Sequence, residues 1–442
     1  MIPCLRCPVS GQQLHAQDAL ALQWRLRPTI SKSWAELLRV WFLWPITSVN
    51  CRGAPVLTDR HITVGIDASR NRSGGAKAHL VGILRDSDPR EHGIDEVHVW
   101  SYAKLLYALP EKPWLVKHSH PSLERSLPHQ MWWQWRYLPD EARALGCQVM
   151  LNTCAGSISI FRPAVVMSRD MLSYEPGEID RYRGKAWLRL WVLRHVQNRS
   201  LRSAEGSIFL TGYAAGVIQH FTGPLKHISI IPHGVGDDFR GVAQGHPWPA
   251  PGQAVNCLYV SNLAPYKHQW HVVRAIADLR RRGFDLVLTL VGVGLGPGQA
   301  GGAASAWDRL SAELTLSDPR REFVTTIDFV SPEQLPSVLA QADLFIFASS
   351  CENMPNTLVE AMASGLPIAC SNRGPMLEVL EDGGVAFDPE SPPSIAAAVE
   401  KLLTDASLRQ HCAERAYYLA QKYSWSRCGR ETWQFLLETA QA

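Results

Sequence analysis

The sequence carries almost no surplus of charge. Across 442 residues, Lys and Arg number 44 and Asp and Glu 41, for a formal net charge of +3. That balance is too even for a protein that grips nucleic acid by bulk basicity. A long apolar run is also missing. The most apolar early stretch, 34–49, is broken by Glu36, Arg39 and Pro45. It is too short for a membrane-crossing helix, which needs about 20 apolar residues. It also lies too late, and lacks a convincing cleavage site, for a secretory signal. Zinc-site spacing is absent: Cys4 and Cys7 form a CxxC, but no second CxxC or HxxxH follows, which argues against a structural metal. The ten cysteines are scattered, most of them inside apolar runs, where a free thiol acts as a small buried hydrophobe. That usage fits a reducing, cytosolic setting. The loop after the first expected strand carries no GxGxxG fingerprint, and there is no low-complexity tract.

What is present is a folded chain: 46% of residues are hydrophobic, 19% are charged and Trp is abundant at 16, which excludes wholesale disorder. The length suggests roughly two to three domains. Residues 1–58 precede the first strong strand pattern and are expected to be a poorly ordered extension. An interfacial helix around 34–44 touching a membrane is the competing reading, disfavoured because its polar face carries few basic residues. From residue 61, short apolar segments at 62–67, 97–100, 114–116, 148–152, 164–167, 207–210 and 227–231 read as strands. Helical periodicity appears at 131–145, 181–204 and 214–221. Residues 241–254 are rich in Pro, Gly and Ala and read as a linker. Alternation resumes with strands at 255–260, 285–291, 323–330, 343–348, 367–370 and 385–387 and helices at 267–282, 332–341, 355–364 and 394–403, then a helical end over 408–437. The expectation is α/β: two doubly wound Rossmann-like domains, 59–240 and 255–407, facing a cleft, with C-terminal helices in 408–442 packing back on the first domain. Ligands bind such sheets at the carboxyl ends of their strands.

The segment 343–371, DLFIFASSCENMPNTLVEAMASGLPIACS, concentrates the chemistry. A buried strand ends in a polar loop with Glu352, and a helix opens near Pro355–Thr357 with Asn356 as a candidate cap. Gly365 closes it. Free N–H groups around Asn356, Thr357 and Leu358 suit a diphosphate, Glu360 a ribose diol, and Glu352 sugar hydroxyls. The plain alternative is a capped helix with two surface carboxylates. In the first domain, Gly74 and Gly75 precede an expected helix at 76–84, where a backbone can approach an anion closely; a plain turn is the alternative. Gly292 and Gly294 admit the same two readings.

On these residues the chain resembles the retaining glycosyltransferases of family 4, which have the GT-B fold. Glu352 and Glu360 match the E-x7-E motif, within E-x-x-P-N-T-L-x-E-A-M-A-x-G. In order, 261–269 (SNLAPYKHQ), 290–294 (LVGVG), 231–239 (IPHGVGDDF) and 423–433 (YSWSRCGRETW) resemble further family segments, so the likeness covers about 61–437. It implies that Glu352 contacts the donor sugar, Glu360 the ribose, and Lys267 the donor diphosphate, with Gly75 in the glycine-rich loop. It implies retention of configuration and no metal or other cofactor. Two positions depart: Asn262 stands where many members have Arg, and Arg169–Asp170 where many have His-Asp.

Other features carry less. His118 and His120 share a face if extended, but no third metal ligand is evident. His79 faces the acceptor or merely packs. His233 has the stronger claim to a structural role. Trp132, Trp133 and Trp135 cannot share one helix face, and core packing is the better reading. The sequence therefore points to a hexosyltransferase with a nucleotide-sugar donor and a glycan or lipid-linked hydroxyl acceptor. No nucleic-acid partner is expected, and peripheral membrane contact is left open. A sugar-nucleotide epimerase of the same fold and a non-catalytic nucleotide-sugar binder are the rivals. A phosphorylase would need a pyridoxal lysine, which is not identifiable.

Overall fold

A computed structural model of the chain describes residues 62–72, 74–294 and 302–442. The expected extension at 1–58, with its alternative membrane helix, lies outside the described residues.

The first sheet has seven strands, all parallel, in the order β3-β2-β1-β4-β5-β6-β7. They are β1 (Ile62–Asp67), β2 (Ile94–Trp100), β3 (Leu115–His118), β4 (Val149–Asn152), β5 (Ala164–Met167), β6 (Gly206–Phe209) and β7 (Ile228–Ile230). The helices between them are α1 (Gly74–Asp86), α2 (Ala103–Ala108), α3 (Leu127–Arg136), α4 (Leu138–Ala144), α5 (Lys185–Ser203) and α6 (Gly212–Thr222). The second sheet has six parallel strands, β10-β9-β8-β11-β12-β13: β8 (Val255–Val260), β9 (Leu286–Val291), β10 (Val324–Ile327), β11 (Leu344–Phe347), β12 (Ile368–Ser371) and β13 (Val385–Phe387). Its helices are α7 (Gln269–Arg281), α8 (Gly302–Ser317), α9 (Leu335–Leu339), α10 (Asn356–Ser364), α11 (Met376–Leu380) and α12 (Pro392–Thr404), followed by α13 (Ala406–Ala420) and α14 (Trp425–Gln441).

β4, β5, β6, β11 and β12 are buried along their whole length, as strands covered by helices on both faces must be. Strand order reverses between β1 and β4 and again between β8 and β11, and a crevice at such switch points receives ligands. α14 lies across the first domain, against α1, β4 and β5. It buries Trp425, Cys428, Thr432, Trp433, Leu436 and Thr439 at helical spacing, and Trp433 Nε1–H donates to Ser87 Oγ at 2.7 Å.

Three sequence expectations are corrected. The helix expected at 131–145 is two, because Pro139 has no N–H and its ring excludes the preceding turn; the chain bends at Tyr137. The helix expected from 181 starts at Lys185, behind Gly184 at φ 58°. α1 starts at Gly74 rather than 76, so both glycines belong to its first turn. The start of the expected linker is held on the second domain, with the Gly241 and Ala243 N–H groups donating to Ala363 and Ser364 carbonyls at 2.8 and 2.9 Å.

Candidate active site

Both sheets point their carboxyl ends at one cavity of about 250 Å³, whose lining includes Arg70, Gly75, Cys154, Arg169, Glu352 and Asn356. β11 ends at Phe347, and the following loop carries Glu352 into the cavity. The loop after β8 carries Lys267, which is buried at 6% exposure and whose Nζ forms an ion pair with Glu352. The ammonium lies 5.5 Å from the Tyr266 ring and 5.4 Å from the Phe347 ring, so its surroundings are apolar apart from Glu352. The turn holding it is pinned by Tyr259 Oη, which donates to the Lys267 carbonyl at 2.7 Å. It is also pinned by His268, at φ 50°, whose Nε2 lies 2.9 Å from Ser350 Oγ.

Asn356 does not cap the helix. Pro355 takes that place, without a side-chain cap. Asn356 is the first helical residue, with its Oδ1 3.2 Å from His233 Nδ1. Its N–H donates to the Met354 carbonyl and that of Leu358 to the Pro355 carbonyl, both at 3.0 Å. Leu358 is in the core and offers a ligand nothing, because its N–H and side chain are both committed to the fold. Thr357 is half-buried and its N–H has no backbone partner among the described residues. Gly75 faces Asn356 so closely that a Cβ would lie 2.9 Å from Asn356 Nδ2. Glu360, one turn into α10, keeps Oε2 buried without a partner. Burial, with the charge of Asp238, lifts its carboxyl to about 7.

Arg169 enters from behind β5. Its Nη2 donates to Asn71 Oδ1 at 2.6 Å, while Nη1 is buried with no partner; burial pushes its pKa down to about 10. A buried guanidinium with a free N–H at a cavity wall is a place for an anion or a sugar oxygen. Asp170, next to it, is pushed up by burial and accepts from the Leu172 N–H at 3.0 Å.

Gly75, Arg169, Glu352 and Asn356 are thus brought together, with Lys267 joined through Glu352. Gly74, Asn262, Gly292, Gly294, Thr357, Leu358 and Glu360 are not among the lining residues. Asn262 is exposed and uses its carbonyl to accept from Gln269 Nε2 at 3.0 Å. Gly292, at φ 92°, would put a Cβ 2.6 Å from the Ser261 carbonyl oxygen, and Gly294 would put one 2.6 Å from Asp328 Cβ. For both, the structure favours the turn over nucleotide approach.

Sequence reasoning missed Arg70, whose Nη1 donates to the Gly156 carbonyl at 2.6 Å, and Asn71, which holds Arg169. Their place directly after β1 was the available signal. His79 is fully buried and stacks on His233 with centroids 4.7 Å apart. Burial pushes His233 down to about 3 and His79 well below its ordinary value, so both are neutral; His79 packs, while His233 also lines the cavity. His118 pairs with His98, Nε2 to Nδ1 at 2.8 Å, and His120 stacks on Tyr137; they do not converge. Trp133 is core, whereas Trp132 and Trp135 are 52% and 37% exposed, which corrects the packing expectation for those two.

Residues 247–418 match the family model described as Glycosyl transferases group 1. Alpha-D-kanosaminyltransferase of Streptomyces kanamyceticus is 32% identical over 175 residues, 39% of this chain and 42% of that protein. O-antigen chain mannosyltransferase B of Escherichia coli is 32% identical over 120 residues, 27% of this chain and 32% of that protein. The chain therefore spans less than half the length of these curated relatives. Among solved structures, sucrose-phosphate synthase from Thermosynechococcus elongatus superposes with a TM-score of 0.67 at 15% identity, covering 86% of this chain and 99% of that one. Anabaena HepE in complex with UDP-glucose gives 0.64 at 17%, covering 86% and 100%. The fold is that of the GT-B glycosyltransferases, two facing Rossmann-like domains. The second domain is the part that carries the glycosyl transferases group 1 match.

Proposed function

We propose that the chain is a retaining, metal-independent glycosyltransferase of family 4 that moves a hexose from a nucleotide-diphosphate sugar to a hydroxyl of a growing surface polysaccharide or lipid-linked glycan. The observation that carries the reading is the convergence of Glu352 and Arg169, from loops of both domains, on one interdomain cavity, with Lys267 ion-paired to Glu352. In this reading the donor enters with its diphosphate against Lys267, the Thr357 N–H and the backbone at Gly75. Glu360 accepts hydrogen bonds from the ribose diol. Glu352 exchanges its ion pair for sugar hydroxyls, freeing the ammonium for the phosphate. As the bond from the anomeric carbon to the phosphate oxygen breaks, charge grows on the leaving diphosphate, where Lys267 and Arg169 stabilise it. The acceptor oxygen bonds to the same face of that carbon and gives its proton to a phosphate oxygen. The described cysteines are free, which supports a cytoplasmic setting. No described helix is long and apolar enough to cross a membrane.

Thermal denaturation against UDP-, GDP- and ADP-sugars tests the reading. One donor class should raise the midpoint by mass action, and Lys267→Ala should abolish that rise. Glu352→Gln should keep the rise yet lose transfer by roughly 10²–10³-fold. A wild-type protein indifferent to every nucleotide sugar would overturn the assignment.

A further inference from the structure

α5 has no Asp or Glu in its 19 residues (KAWLRLWVLRHVQNRSLRS). It buries Leu190, Gln197, Ser200 and Leu201, so its opposite face carries Leu188, Trp191, Val192 and His195 at helical spacing. Leu188 is 48% and Trp187 40% exposed, and the Trp191 and His195 rings lie 4.0 Å apart. The cations sort by direction. Arg194 turns inward over the Phe221 ring at 4.9 Å, and Arg202 donates to the Thr222 and Phe221 carbonyls at 2.8 and 3.0 Å. Arg181 is taken by Glu178 and Glu390. Arg183, Lys185 and Arg189 are exposed, and no acid lies within ion-pair distance of them among the described residues.

α3 repeats the pattern. From Arg125 to Leu138 there is no acidic residue, and Leu127, Trp132 and Trp135 are exposed, the two indoles 5.3 Å apart. Each helix is tied to the carboxyl edge of the first sheet by one glutamine: Gln134 to Asp67 after β1, and Gln197 to Asp170 after β5, at 3.4 Å. Gln197 and Asp170 also line the cavity. Of these two acid-free helices that expose indoles, α5 thus reaches the cavity wall through Gln197.

We propose that the outer faces of α5 and α3 form a docking surface for an anionic lipid bilayer, which brings the cavity mouth to the headgroup layer. Amphipathic indoles settle at the headgroup level, and unpaired Lys and Arg are drawn to anionic lipid. An exposed apolar patch rimmed by cations has no folding use in the protein alone. The surface stands independently of the sugar-transfer reading.

The test is co-sedimentation of the full chain with phosphatidylcholine vesicles, with and without about a third phosphatidylglycerol. Binding should favour the anionic vesicles by roughly tenfold or more and weaken with salt. Trp187→Ser with Leu188→Ser, and separately Arg183→Ser with Lys185→Ser, should each remove most of it. Neither set should alter the thermal midpoint or its rise with a nucleotide sugar, since these side chains are exposed and outside the cavity. Equal binding to both vesicle types, or sets of variants that bind like wild type, would overturn the proposal. So would loss with the charge variants alone while heparin competes fully, which marks a plain polyanion site.

Discussion

Arg169 and Glu360 share one physical condition, a buried polar atom that the protein leaves without a partner, whereas Lys267 and Glu352 satisfy each other. Glu360 gives the clearest pH dependence. Its carboxyl is lifted from 4.5 to about 7, first by burial and then by Asp238. A carboxyl raised on folding favours the folded state fully below its unfolded value, and that contribution is lost as the pH climbs through the folded one. Between about pH 4.5 and pH 7 the ligand-free protein should therefore lose stability that Glu360→Gln does not lose. The full shift is worth on the order of 3 kcal/mol, and the side chain's partial exposure reduces it. Differential calorimetry at pH 5 and pH 8 should show the Gln variant gaining on wild type at the higher pH. Donor affinity should move oppositely, tightening in wild type as the carboxylate forms and staying flat in the variant. A wild-type affinity independent of pH would dissociate Glu360 from the ribose.

At the scale of elements, strands were the most legible part of the chain. β5 and β11 are apolar throughout, and β4 and β12 up to their last residues Asn152 and Ser371, because helices cover both faces, and a short apolar run between turns announces that burial. Helix starts were less legible because a cap depends on three-dimensional company. Gly74 and Gly75 read as a loop, yet they open α1, where the space facing Asn356 leaves no room for a side chain. Asn356 has the composition of a cap, yet Pro355 occupies that place and the amide turns to His233. The same distinction yields a prediction for Gly292, behind β9, and Gly146, behind α4. Gly292 and Gly146 both have positive φ, 92° and 73°. A Cβ on Gly146 meets nothing within 4 Å, whereas one on Gly292 meets the Ser261 carbonyl oxygen at 2.6 Å. Gly146→Ala should cost only the backbone conformation, about 1 kcal/mol, and Gly292→Ala more, roughly 2–4 kcal/mol, because β8 and β9 must part at their carboxyl ends. Urea midpoints compare the two. Equal costs would mean that the Gly292 turn relaxes freely.

At the scale of the molecule, the site is a product of topology, and that part of it was least legible. Lys267 meets Glu352 across 85 residues, Arg169 meets Asn71 across 98, and His233 meets Asn356 across 123. No local pattern encodes those meetings; only the ordered succession of segments hinted at them. The two domains are held by a few contacts of that kind. Thr211 Oγ1 donates to the Asn353 carbonyl at 3.0 Å, Ser350 Oγ to Glu178 Oε1 at 2.6 Å, and the first N–H groups of α6 to the Glu378 carboxylate at 2.7 Å. The chain passes between the domains twice, and the passages touch. Val235 forms a parallel bridge with Ser424, and Arg240 donates to the Tyr423 carbonyl at 2.9 Å. Gly234 lies so close that a Cβ would sit 2.7 Å from Trp425 Cα. Because the obstacle is backbone, Gly234→Ala must push one passage off the other and carry α14, seated on the first domain, with it. The expected result is a looser cleft: a larger ligand-free radius of gyration by small-angle scattering, and weaker donor binding. Lys267 and Glu352 keep their ion pair within the second domain, so Glu352→Gln in that background should still cost its full factor in transfer rate. A variant with wild-type dimensions and donor affinity would show that the touching passages do not set the cleft, and would leave that task to the Glu178, Thr211 and Glu378 contacts.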